Sequence, residues 1–248
     1  MKRADHRTNT QPWYRLTLWS AAVVFTVYSL ALSIAEKDGS NILLCLAAFL
    51  LVSAPGLLGK LLTFRLSTPI YTFFVLYALG PVLGCVHHLY YLTTWWDDLL
   101  HLCGGIVFAM FGFFLADLLN QKRGNSLIMG AVFALCFSIS IAALWEFYEF
   151  GSDQLLGTDM QMDTVVQGFT SYALSDEVGE AAAIRNIQDV SINGIPMEFG
   201  GYLELGLIDT MKDMLIETLG ALSYVAVVLL DRGRHPAFIP LTRTKMDC

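Results

Sequence analysis

The chain has 248 residues, 55% of them hydrophobic and only 15% charged, with a formal net charge of -7. Soluble domains carry about 25% charged residues, so one or two soluble domains are excluded. Disordered, collagenous and coiled-coil chains are excluded too, because each needs a composition absent here. What remains is a polytopic membrane protein, and the lack of a basic patch argues against nucleic acid as a partner.

A bilayer crossing needs roughly 20 mostly apolar residues. Six stretches meet that length, at about 13–35, 41–63, 69–92, 97–119, 126–150 and 209–230. The expected fold class is therefore all-α, a six-helix transmembrane bundle. The first stretch ends in Ser33-Ile34-Ala35, which looks like a signal cleavage site, but its long aromatic run reads as a retained anchor. The second contains Ser53-Ala54-Pro55-Gly56 and the third Gly80-Pro81, and both should kink. Between the fifth and sixth spans, residues 151–208 make a connection far longer than the usual few residues, expected to be an outer loop or lid. Within it Ala181-Ala182-Ala183 reads as a short helix and Ile192-Asn193-Gly194 as a hairpin turn. The expected organisation is a tail at 1–12, spans one to five within 13–150, the loop 151–208, the last span 209–230 and a tail at 231–248.

Orientation follows from Lys and Arg beside the spans. With the N-terminus inside, the cytoplasmic segments hold Lys2, Arg3, Arg7, Arg15, Lys60, Arg65, Lys122, Arg123, Arg232, Arg234, Arg243 and Lys245, which is 12 of the 15 bases. Only Asp5, Asp117, Asp231 and Asp247 of the 22 acids join them. Both termini are thus expected to be cytoplasmic and the long loop extracytoplasmic. Cys45, Cys85, Cys103, Cys136 and Cys248 form no CxxC pair and are odd in number, so they read as packing residues rather than a disulfide or zinc framework.

The chemistry-bearing residues gather at one leaflet. The outer end of span three carries His87 and His88, span four begins Asp97-Asp98-Leu99-Leu100-His101, span five ends Trp145-Glu146-Phe147-Tyr148-Glu149, and span six begins with Asp209, Asp213 and Glu217. Residues three or four apart share a helical face. The faces are Asp98, His101, Gly105, Ala109 and Gly112 in span four and Ser138, Ala142, Glu146, Glu149 and Asp153 in span five. In span six the face is Asp209, Asp213 and Gly220, with Glu217 and Tyr224 at its edge. Acids below the interface belong inside the bundle, so an outward-opening pocket floored by His101, Glu146, Asp213 and Glu217 is expected. With Lys212 and Arg185 as the main nearby bases, protons or a divalent cation must offset the carboxylates. The donor set Asp98, His101, Asp213 and Glu217 suits a divalent metal ion such as zinc, manganese or magnesium, and Glu146 or Glu149 would serve as general base.

Blander roles stand beside these. Asp97, Asp98 and Asp209 suit helix starts, Glu149 and Asp153 an aqueous interface, and His87 and His88 an interfacial belt with Tyr90 and Tyr91. Asp176, Glu177 and Glu180 read as a solvated loop face.

The segments Trp96-Asp97-Asp98-Leu99-Leu100-His101, Trp145-Glu146-Phe147-Tyr148-Glu149, Leu156-Gly157-Thr158, Asp209-Thr210-Met211-Lys212-Asp213-Met214 and Leu219-Gly220-Ala221 resemble the YjdF-like bacterial inner-membrane family over about 69–230. More distantly they are similar to the VanZ-like family. This chain departs from the YjdF-like pattern by some fifty residues at about 159–208. The resemblance implies a bacterial inner-membrane protein, and its VanZ-like side implies a role at the cell envelope linked to glycopeptide resistance. Three functions fit: a metal-assisted enzyme acting on a lipid or envelope precursor, a proton- or cation-coupled transporter, and a non-catalytic envelope binding protein. Membrane lipids are the expected partners.

Overall fold

The computed structural model describes residues 12–61, 64–119, 126–231 and 241–243. Lys2, Arg3, Arg7, Lys122, Arg123, Arg232, Arg234, Lys245, Asp5, Asp247 and Cys248, and with them most of both expected tails, lie outside the described residues. The helices are α1 (Pro12–Glu36), α2 (Gly39–Leu61), α3 (Thr68–Cys85), α4 (Leu89–Leu92), α5 (Trp96–Leu119), α6 (Leu127–Leu156) and α7 (Leu207–Leu230). Among the described residues all but α4 are long and apolar enough to span a membrane. Large apolar side chains such as Val24, Val27, Leu43, Leu50, Leu76, Val132 and Leu219 are exposed along them. In water so much exposed apolar surface would be a liability; hydrocarbon solvates it.

The third stretch differs from the expected single helix over 69–92. The α3 helix stops at Cys85, and His88, at φ 61°, opens the short α4. A left-handed residue cannot continue a right-handed helix. The α2 and α3 helices run through Pro55 and Pro81. Asp38 caps α2 by accepting from the Asn41 backbone N–H at 3.0 Å and its side-chain amide at 2.9 Å.

The chain divides into two compact units, one of residues up to 141 together with 216 onward, the other of residues 142–215. In the first unit α1, α2 and α3 pack on one another, and α3 also packs on α5. Ala22, Val52, Tyr71, Val75 and Ala78 form one buried cluster, and Ile70, Ala109, Met110, Phe113, Ala134, Ala221, Tyr224 and Val228 another. The Arg15 guanidinium donates to the Leu66 carbonyl and lies 5.1 Å from the Tyr71 ring centroid. The α2–α3 connection carries β1 (Phe64–Leu66), which pairs antiparallel with a C-terminal strand, Leu241–Arg243.

The packing of α5 on α7 depends on two glycines. A Cβ at Gly105 would lie 2.0 Å from the Glu217 carbonyl oxygen, and one at Gly220 would lie 2.1 Å from that of Leu102. Only residues without a side chain allow backbones this close. Ser138 of α6 donates its hydroxyl to the Gly105 carbonyl at 3.2 Å, which ties α6 to the same place.

In the second unit the segment after α6 forms short antiparallel pairs, so the all-α expectation is corrected there. β2 (Thr164–Val166) pairs with a strand at Tyr202–Glu204, β3 (Gly168–Ser171) with β4 (Ala182–Arg185), and β5 (Val190–Ile192) with β6 (Ile195–Met197). The expected short helix at Ala181–Ala183 is thus a strand edge. The six residues between Gly179 (φ 83°) and Asn186 (φ 56°) are too few for a stable helix. The hairpin turn at Asn193-Gly194 forms, with φ 54° and 81°, as a primed turn requires.

Candidate functional site

Gly105 and Gly220 bring α5 and α7 together, and this packing places Glu217 beside His101. His101 is buried, and each ring nitrogen faces a carboxylate. Nε2 lies 3.6 Å from Oδ1 of Asp97, one turn earlier on α5, and Nδ1 lies 3.7 Å from Oε2 of Glu217 on α7. Both distances exceed a direct hydrogen bond of about 2.7–3.2 Å. They approach the roughly 3.4 Å that separates two donor atoms on one ion with bonds of about 2.1 Å. Glu217 is only 4% exposed, and among the described residues its Oε1 accepts no hydrogen bond.

Asp213 precedes Glu217 by one turn on the same face of α7 and is 1% exposed. Asp98 stands beside Asp97 in the first turn of α5. The expected ligand Asp98 stands three residues before His101, whereas the α5 carboxylate 3.6 Å from the imidazole is that of Asp97, four before it. Tyr77, which no sequence motif marks, brings its hydroxyl to the α5 surface at Gly104.

The second unit holds its own carboxylates. On α6, Ala142, Glu146 and Glu149 are all buried along one helical face. The Trp145 indole N–H donates to Oε1 of Glu149 at 2.7 Å. Two further acids of the sequence reading have structural partners. Asp153 accepts from the Thr158 hydroxyl and from the backbone N–H groups of Met160 and Gln161, at 2.7, 2.7 and 2.9 Å. Asp209 accepts from the Met162 N–H at 2.8 Å. Residues 158–162 are thereby strapped between the end of α6 and the start of α7. Glu204, three residues upstream, caps α7 by accepting from the N–H groups of Leu207 and Ile208, a role the sequence reading did not assign.

The packed positions of His87 and His88 differ. His87 Nε2 lies 2.9 Å from the Ser29 hydroxyl, and its ring sits 5.1 Å from that of Phe25, so it ties α3 to α1. His88 supplies the left-handed turn before α4.

Partial burial, and then the charges of Asp159, Glu204 and Asp153, hold the Asp163 carboxyl above the usual carboxylate range. A raised folded-state value means that the folded loop binds this proton more tightly than the unfolded chain does. The group therefore favours folding as pH falls through that value and opposes it once ionised. Asp163→Asn is expected to melt above the parent at about pH 7.5 and to converge with it near pH 4. Parallel thermal melts across that range check the sign.

Six apolar helices, with an imidazole and carboxylates buried among them, define a multi-pass membrane protein. Residues 17–234 match the family described as "Predicted membrane protein (DUF2238)", which is the YjdF-like group, and the chain belongs to it. No curated protein and no solved structure matches the chain.

Proposed function

We propose that this protein is a metal-assisted enzyme that acts on a lipid or envelope precursor at the outer face of a bacterial plasma membrane. The observation that supports this reading is the buried His101 imidazole with the Asp97 carboxylate 3.6 Å from one ring nitrogen and the Glu217 carboxylate 3.7 Å from the other. One imidazole nitrogen would bind the cation with its neighbouring carboxylate, and the other would donate to the second carboxylate, which fixes the ring. Mixed imidazole and carboxylate donors suit zinc or manganese. Such an ion polarises a phosphoryl or carbonyl oxygen and activates water at neutral pH. Asp98, in the first turn of α5, is a further candidate ligand.

Two features support cytoplasmic termini and an outward-facing site. The Lys and Arg residues concentrate on the connections assigned to the inside. The pairing of β1 with Leu241–Arg243 is consistent with the α2–α3 connection and the C-terminal strand sharing one side.

Elemental analysis of detergent-purified protein tests the metal. The expected result is about one equivalent of zinc or manganese in the parent and a loss of at least tenfold in His101→Ala. Equal trace content in both proteins would overturn the reading.

A further inference from the structure

The α3 helix also reaches the imidazole–carboxylate site. Tyr77 projects from α3, and its ring meets that of Phe108 edge-on at 6.4 Å between centroids. Its hydroxyl lies 3.0 Å from the point a Gly104 Cβ would occupy, and the Glu217 carboxyl carbon lies 3.8 Å from the same point. The missing side chain at Gly104 therefore leaves a notch bordered by the Tyr77 phenol and the Glu217 carboxylate. The Glu217 oxygen Oε1 is buried and accepts no hydrogen bond among the described residues. A phenol is a donor as well as an acceptor, whereas an ionised carboxylate only accepts. One oxygen placed in the notch could take a hydrogen bond from Tyr77 while the carboxylate accepts from it or shares its cation.

We propose that Tyr77 is a positioning residue of the α5–α7 site, holding an oxygen of the bound cation's water against Glu217 across the Gly104 notch. This inference rests on the metal reading above. Tyr77 does not ligate the ion. It fixes the water that the ion activates, as outer-sphere hydrogen-bonding partners do at metal sites. The Phe108 contact sets the ring plane, so the hydroxyl can be removed without disturbing the packing.

Cobalt(II) is the probe, added to detergent-purified full-length protein stripped of metal. Its visible absorption reports coordination, and its titration reports affinity. Tyr77→Phe is expected to bind the same stoichiometry about tenfold more weakly, with a shifted cobalt spectrum and an unchanged melting temperature without metal. Gly104→Ala, which fills the notch with a methyl while leaving the hydroxyl in place, is expected to weaken binding similarly. A parent that binds cobalt while Tyr77→Phe matches it in spectrum and affinity would overturn the role of Tyr77 alone. A parent that binds no cobalt would overturn both this role and the metal reading.

Discussion

Gly105→Ala is expected to be among the most damaging single substitutions in the chain, costing about 3 kcal/mol or more. The added methyl would sit 2.0 Å from the Glu217 carbonyl oxygen and 2.8 Å from the Ala221 nitrogen. Both neighbours are backbone atoms, so no rotamer change relieves the contact and the helices must part. Their parting would carry Glu217 away from His101, so cation binding should fall together with stability. Gly220→Ala meets the Leu102 carbonyl at 2.1 Å and should behave alike. Gly56→Ala is the control: nothing lies within 4 Å of its Cβ position, and it sits inside α2, where alanine is favoured over glycine by about 1 kcal/mol. Thermal melts in detergent should show large drops for the first two and none for the third. A Gly105→Ala melt equal to that of the parent would mean that α5 and α7 do not pack this closely.

Glu217→Met is expected to change sign with the metal. Without a cation the parent keeps a buried carboxylate with one oxygen that accepts no hydrogen bond among the described residues, an arrangement that costs roughly 1–3 kcal/mol. Methionine has similar length and no polar requirement, so the metal-free variant should be as stable as the parent or more so. With zinc at about one hundred times its dissociation constant, the parent should gain about 2.7 kcal/mol, and the variant should gain little. The order of the two melting temperatures therefore inverts on adding zinc. A variant less stable than the parent in both conditions would assign Glu217 a purely structural task.

The spans were the most legible part of the chain, because bilayer thickness imposes a run length that apolar composition reveals directly. The hairpin was legible for a similar reason: Asn193-Gly194 is one of the few dipeptides that tolerate positive φ at both positions. The end of α3 was hidden. His88 adopts φ 61° with no glycine or proline to mark it, and the apolar pattern continues through Leu89 and Leu92. The strand at Ala182–Arg185 was hidden because its partner, Gly168–Ser171, is supplied from a distance.

At the candidate site, spacing alone could not choose between Asp97 and Asp98, since residues three and four before His101 both share its face. Both stand on the helix that carries His101, so side-chain rotamers decide which of them meets the imidazole, and Asp97 lies 3.6 Å from its Nε2. Tyr77 was hidden because a phenol within an apolar span resembles any other packed aromatic. Asp153 and Asp209 look like site acids in the sequence, but backbone N–H groups of Met160, Gln161 and Met162 donate to them, a structural use that sequence spacing does not reveal.

Zinc anomalous scattering from crystals of the full-length protein grown with zinc addresses the cation directly. A single peak within about 2.2 Å of a His101 ring nitrogen, with a carboxylate oxygen of Glu217 or Asp97 at a similar distance, is the expected result. A map with no peak there, and His101 drawn into direct hydrogen bonds with its two carboxylates, would contradict it.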